Sequence, residues 1–164
     1  MLVTGVYGAG KSTVVADIGA LLGERGEHYG LLDVDWLGWF DSGISHREHR
    51  RAVLGNLATI SGGFVIAGVR RLALAWSVRD RGQLDEVRQA VPVPLRVVRL
   101  EVPAALVEQR LSADPTEERR GDDLRVAREW LAAGHSDGLE DVALPGDAPV
   151  RETSVGICSW LGWI

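Results

Sequence analysis

The stretch Gly5-Val6-Tyr7-Gly8-Ala9-Gly10-Lys11-Ser12 constrains this chain more than any other. It satisfies every fixed position of G-x-x-x-x-G-K-[ST], the phosphate-binding loop. The order of residues follows from what a phosphate needs. Glycines let successive backbone N–H groups turn inward around an anion with no Cβ in the way. A helix starting directly after the loop aims its free N–H groups and positive dipole end at the same anion. On this pattern Gly8, Ala9, Gly10, Lys11, Ser12 and Thr13 cradle the phosphates. Lys11 reaches the β- and γ-phosphates and the Ser12 hydroxyl holds Mg²⁺. The flanks agree. Residues 1–4 form a short apolar run suited to a buried strand, and Val14, Val15, Ile18, Leu21 and Leu22 recur at helical spacing. Strand, glycine loop and helix in this order predict a nucleoside triphosphate site.

Beyond the loop the chain alternates. Strands are expected near 28–34, 69–76, 95–102 and 141–144. Between and after them, helices are expected near 46–62, 83–90, 103–112, 122–133 and 153–162. Gly23 and Gly26 stop the first helix, and Ser45 is a natural N-cap for the second. Alternating strands and helices imply right-handed crossovers and a mostly parallel five-stranded sheet with helices on both faces. At 164 residues this is one α/β domain spanning 1–164.

Composition excludes several classes. No apolar run approaches the roughly 18 residues of a membrane helix, so no membrane is expected as partner. A strand beginning at Met1 leaves no room for a signal peptide. The single cysteine, Cys158, has no partner for a disulfide and no zinc-ligand spacing around it. Together these point to the cytoplasm. A net charge of −5 argues against nucleic acid as the main partner.

In a parallel sheet, ligands collect at the carboxyl ends of the strands. The second strand ends Leu31-Leu32-Asp33-Val34-Asp35, a Walker-B-like ending with a second carboxylate two residues on. A carboxylate here can hold Mg²⁺ or accept a proton from an attacking hydroxyl. Alternatively either residue is a cap or turn former. Trp36, Trp39 and Phe40 follow, and they are either walls of an acceptor pocket or part of the core. Trp76 is a further candidate for that pocket, and Asn56 a weaker one. His28, His46, His49 and His135 have no ligand spacing and read as surface residues.

With its phosphate loop and the Leu-Asp-Val-Asp ending, the chain resembles P-loop small-molecule kinases of the nucleoside-monophosphate-kinase-like group. Adenylylsulfate, shikimate and gluconate kinases and chloramphenicol phosphotransferase belong to it. Sharp motif identity covers only residues 5–12 and 32–35, while element order agrees along nearly the whole chain. The resemblance implies a P-loop NTPase fold with a short lid, here about 114–121. It implies that Asp35 orients or deprotonates the acceptor hydroxyl and that Asp33 is the Mg²⁺-linked carboxylate. It further implies that Arg79 grips the acceptor, that Arg110 stacks on adenine, and that Arg119 and Arg120 close over the transferred phosphoryl. Asp114 and Pro115 stand where a second lid arginine is often found, which departs from the group. Each arginine has the alternative of a solvated helix face, and Arg125 and Arg128 are weaker candidates.

The base-reading loop is expected at 145–149, and the absence of an Asn-Lys-x-Asp signature favours ATP over GTP. The expected activity is ATP-dependent phosphoryl transfer to a small-molecule hydroxyl. The alternatives are a nucleotide kinase, which would want several arginines in its acceptor pocket, and a nucleotide-binding regulator without transfer chemistry. An ATPase motor would need more chain. Trp160 and Trp163 read as core or as contact surface, for which a homodimer is one use.

Overall fold

The computed structural model describes residues 1–113 and 117–164, the side chains of 117–120 excepted. Among the described residues, five strands run Leu2–Thr4 (β1), Tyr29–Asp33 (β2), Arg71–Ala75 (β3), Val97–Glu101 (β4) and Val142–Pro145 (β5). Among the same residues, six α-helices run Lys11–Glu24 (α1), His46–Ile66 (α2), Arg81–Ala90 (α3), Ala104–Ser112 (α4), Glu117–Ala132 (α5) and Val150–Trp160 (α6). A 3-10 turn, Val34–Gly38, follows β2. The strand order is β2-β3-β1-β4-β5, with every described pair parallel. The expected α/β sheet, covered on both faces, is therefore present.

Side-chain alternation along the strands feeds two cores. Val3, Ala73, Ala75, Val98 and Leu100 join residues of α1, α4, α5 and α6 on one face. Leu2, Leu72, Leu74 and Val97 join α2 and α3 on the other. Small alanines on β3 sit beneath α1, which packs closely on β2, β3 and α6. The central strand β1 lies between β3 and β4, where the strand order reverses, and a crevice opens at its carboxyl end.

Helix ends follow their local chemistry. Ser45 and Glu48 form a reciprocal capping box at the start of α2. Its far end runs past the expected residue 62. Gly62 and Gly63 face open space, and burial of Val53, Leu57 and Phe64 sustains the helix through them. It stops at Gly68, whose φ is +88°, with Gly68 N–H bonded to the Val65 carbonyl and Val69 N–H to that of Phe64. Gly26 ends α1 and Gly162 ends α6 by the same Schellman pattern.

Leu74 is fully buried in the α2/α3 core. Leu74→Ala should lower unfolding free energy by about 2–5 kcal/mol, read as a reduced urea midpoint with unchanged slope.

Candidate functional site

The loop after β1 is shaped by two backbone demands. Gly5 has φ +142°, and a Cβ there would lie 2.9 Å from the Leu100 carbonyl oxygen. Gly10, the N-cap of α1, has φ +91° and offers no capping side chain. No acidic residue occupies the first turn of α1. Its leading N–H groups thus have no acidic side chain from the helix's own first turn beside them. Residues 8–13 line a cleft of about 490 Å³ together with Arg110 and, from the β5–α6 side, Ala148 and Thr153. The phosphate-loop residues singled out in the sequence are therefore brought together.

Lys11 is buried (7% exposed), with Nζ donating to the Val6 carbonyl at 2.9 Å. Burial depresses its pKa to about 8, against the pull of Asp35 and Asp33 toward the charged form. Ser12 Oγ donates to Asp33 Oδ2 at 2.6 Å. The other oxygen of Asp33 accepts the Asp35 N–H at 3.1 Å, capping the 3-10 turn. Asp33 thus both caps a turn and meets the serine hydroxyl. Two hard oxygens side by side at a phosphate loop suit Mg²⁺, which takes few protein ligands and leaves the rest to phosphate and water. Among the described residues no cluster of three or more His, Cys, Asp or Glu forms a protein-only cage.

Asp35 stands at a junction. It lines the phosphate cleft and also a second pocket of about 440 Å³. Burial of the carboxylate raises its pKa despite nearby Lys11, and Asp33 and Asp123 add to the rise. A hydrogen bond from Trp76 works the other way. The second pocket also takes in Trp76, Arg79, Arg50, His46 and His49. Arg79 is set by the β3 exit. Val78 N–H donates to Thr4 Oγ1 at 3.0 Å, Ser77 Oγ to the Gly5 carbonyl at 3.0 Å, and Arg79 N–H to Gln83 Oε1 at 3.0 Å. Ser136, with φ +73°, supports the same segment through its N–H on the Arg79 carbonyl at 3.0 Å. The Arg79 guanidinium lies 5.4 Å from the Trp130 ring.

Other expected residues lie elsewhere. Trp36 and Trp39 are 65% and 59% exposed, pack on each other at 4.5 Å between centroids, and do not line the second pocket. The 3-10 turn capped by Asp33 swings them outward. Arg119 and Arg120 lie outside the described side chains, as does most of the segment 114–121. Arg110 donates to the carbonyls of Gly8 and Ala9 at 3.3 Å each and of Gly146 at 2.9 Å. It ties the phosphate loop to the loop expected to read the base. Arg125 and Arg128 are engaged with Glu129 and Glu108 on the surface.

Two groups escaped the sequence. Tyr7 lines both pockets, with Lys11 Nζ 5.5 Å from its ring and Trp130 edge-on at 6.3 Å. Its signal was an aromatic at a variable position of the loop. His46, His49 and Arg50 reach the second pocket because they share one face of α2 with Val53. His49 is half-buried and bonded to the Gly38 carbonyl at 2.8 Å, so it is not the plain surface residue expected. Asn56, the weaker pocket candidate, instead donates to the Leu37 carbonyl at 3.0 Å and does not line the second pocket.

No family model matches the sequence, and no curated protein matches it. Solved structures do. An unliganded sugar kinase from Janibacter sp. aligns with TM-score 0.69 and 21% identity over 98% of this chain and 92% of that one. A Mycobacterium tuberculosis APS kinase in complex with AMPPNP and APS aligns with TM-score 0.63 and 22% identity over 98% and 96%. A shikimate kinase from Aquifex aeolicus aligns with TM-score 0.57 and 13% identity over 99% and 95%. The chain has the fold of these P-loop small-molecule kinases, the group its sequence resembles.

Loss of the three carbonyl bonds in Arg110→Ala leaves acceptors on both loops unpaired. The variant should lose about 1–3 kcal/mol of stability in thermal or urea unfolding.

Proposed function

We propose that the protein is an ATP-dependent kinase that transfers the γ-phosphoryl group to a hydroxyl of a small molecule. One observation carries this reading: the phosphate cleft and the second pocket meet at Asp35 and Tyr7. A triphosphate in one and an acceptor in the other would present their reacting atoms at a shared carboxylate. Backbone N–H groups of residues 8–13 and Lys11 hold the phosphates. Ser12 and Asp33 hold Mg²⁺, which when bound offsets phosphate charge. Asp35 accepts the acceptor's proton, and its raised pKa brings it closer to a base useful near neutrality. Arg79 binds the acceptor, and Arg119 and Arg120 stabilise charge on the phosphoryl in flight. Trp76, rather than Trp36 and Trp39, supplies the aromatic wall. The loop 145–149, joined to the phosphate loop by Arg110, receives the base.

A nucleotide kinase is the second reading, favoured by one observation. Arg50 and Arg79 both border the second pocket, and an anionic acceptor would use such cations. Arg50 is partly committed to Glu86 at 2.6 Å. The first reading therefore stands ahead.

The test is ADP release with Mg²⁺ and ATP across a panel of hydroxylated metabolites, nucleosides and nucleotides. A stimulating hydroxyl compound should gain one phosphate, and Asp35→Asn should cut kcat by about 10²–10⁴ while still binding ATP. Stimulation by nucleoside monophosphates alone would favour the second reading, and no stimulation by any acceptor would overturn both.

The depressed Lys11 gives a pH signature. Its ammonium is present at pH 7 and is lost as pH rises through about 8, so the free site must take up a proton to hold phosphate charge. ATP affinity should be about tenfold weaker at pH 9 than at pH 7. Titration calorimetry checks this, and Lys11→Met should flatten the dependence.

A further inference from the structure

A third concavity lies at the opposite end of the sheet, where the strands begin. It encloses about 420 Å³, within the range of pockets that take small organic ligands. Trp160 and Trp163 at the end of α6 form one wall, and Val65 at the end of α2 and Leu72 of β3 contribute apolar surface opposite. Arg70 and Arg96, each next to the first residue of a strand, complete it.

The charge of this lining runs against that of the molecule. The chain carries 23 acidic residues and 18 basic ones, yet among the described residues the pocket lining holds two guanidinium groups and no carboxylate. Arg70 forms no ion pair with a described residue. Arg96 meets Asp141 only at 3.7 Å, with 66% of its side chain exposed. Its guanidinium lies 5.7 Å from the Trp160 ring. The site therefore combines available forked donors, suited to a carboxylate or sulfonate, with flat π-surfaces suited to an aromatic body.

We propose that this pocket is a second small-molecule site, separate from the phosphate cleft, that binds an aromatic anion. The acid group bridges Arg70 and Arg96, and the ring system lies against Trp160 and Trp163. A neutral aromatic of the same shape loses the two charge-assisted bonds. Because no residue of this lining belongs to the phosphate cleft or the Asp35 pocket, occupancy does not require ATP to leave. The proposal is independent of which reaction the protein performs.

The test uses 8-anilinonaphthalene-1-sulfonate and its neutral relative N-phenyl-1-naphthylamine. Both are titrated into the full chain and followed by probe emission and quenching of tryptophan fluorescence. The sulfonate should saturate at one per chain and remain bound in excess MgATP, while the neutral compound binds at least tenfold more weakly. Arg70→Gln/Arg96→Gln should weaken the sulfonate at least tenfold and leave the Kd for ATP unchanged. Val65→Trp, which fills the pocket from an exposed position, should block the probe without altering the melting temperature. Equal binding of both probes, unchanged binding by the double variant, or displacement by ATP would each overturn the assignment. Sedimentation is run alongside. A dimer that excludes the probe, with Val65→Trp dissociating it, would assign this face to a second copy instead.

Discussion

The carboxyl end of β1 is the point on which the rest of the structure depends. There a parallel strand gives way to a loop whose first residue sits against the Leu100 carbonyl of the neighbouring strand. Only a residue without Cβ fits that approach. The adjoining chain is braced from the other neighbour, since Ser77 bonds the Gly5 carbonyl and Thr4 receives the Val78 N–H. β3 and β4 therefore fix the loop from both sides, and the chain leaving them leads on to the candidate residues Arg79 and Arg110. The strand order, with β1 at the reversal, makes that possible.

Charge in the crevice is arranged by the same geometry. Lys11 is held in a buried position by a backbone carbonyl, while Asp33 and Asp35 stand on the neighbouring turn. Burial pushes the lysine down and the aspartate up, so each ionised group depends on the other for much of its compensation. A phosphate entering this environment would meet a cation already buried and positioned by the Val6 carbonyl, so little of its binding energy would be spent on reorganisation.

Much of the fold was legible in the sequence, because hydrophobic period, glycine and proline placement, and capping residues all gave consistent signals. The phosphate loop was legible because its fixed residues are contiguous in the sequence, although Leu100, Ser77 and Arg110 brace it from far along the chain. The second pocket was legible only in part: Asp35, Trp76 and Arg79 stood out in the sequence, and its other members did not. Trp36 and Trp39 lie next in sequence to Asp35, yet a 3-10 turn capped by Asp33 points them outward. His46, His49 and Arg50 lie far along the chain but face the pocket through the period of α2. The carry of α2 through Gly62 and Gly63 likewise depended on packing that propensity alone does not reveal. Sequence adjacency was a poor guide to pocket membership, and the helical period was a better one.

Lys11, Tyr7, Trp130 and Arg79 form an unbroken series of ring contacts, with successive separations of 5.5, 6.3 and 5.4 Å. Trp130 belongs to α5, whereas the other three residues belong to segments leaving β1 and β3. The middle separation lies near the outer limit of productive aromatic pairing, roughly 7 Å. An outward drift of α5 by about one ångström would part Tyr7 from Trp130. The contact thus joins α5, through two rings, to the lysine that lines the phosphate cleft and to the arginine that lines the adjoining pocket.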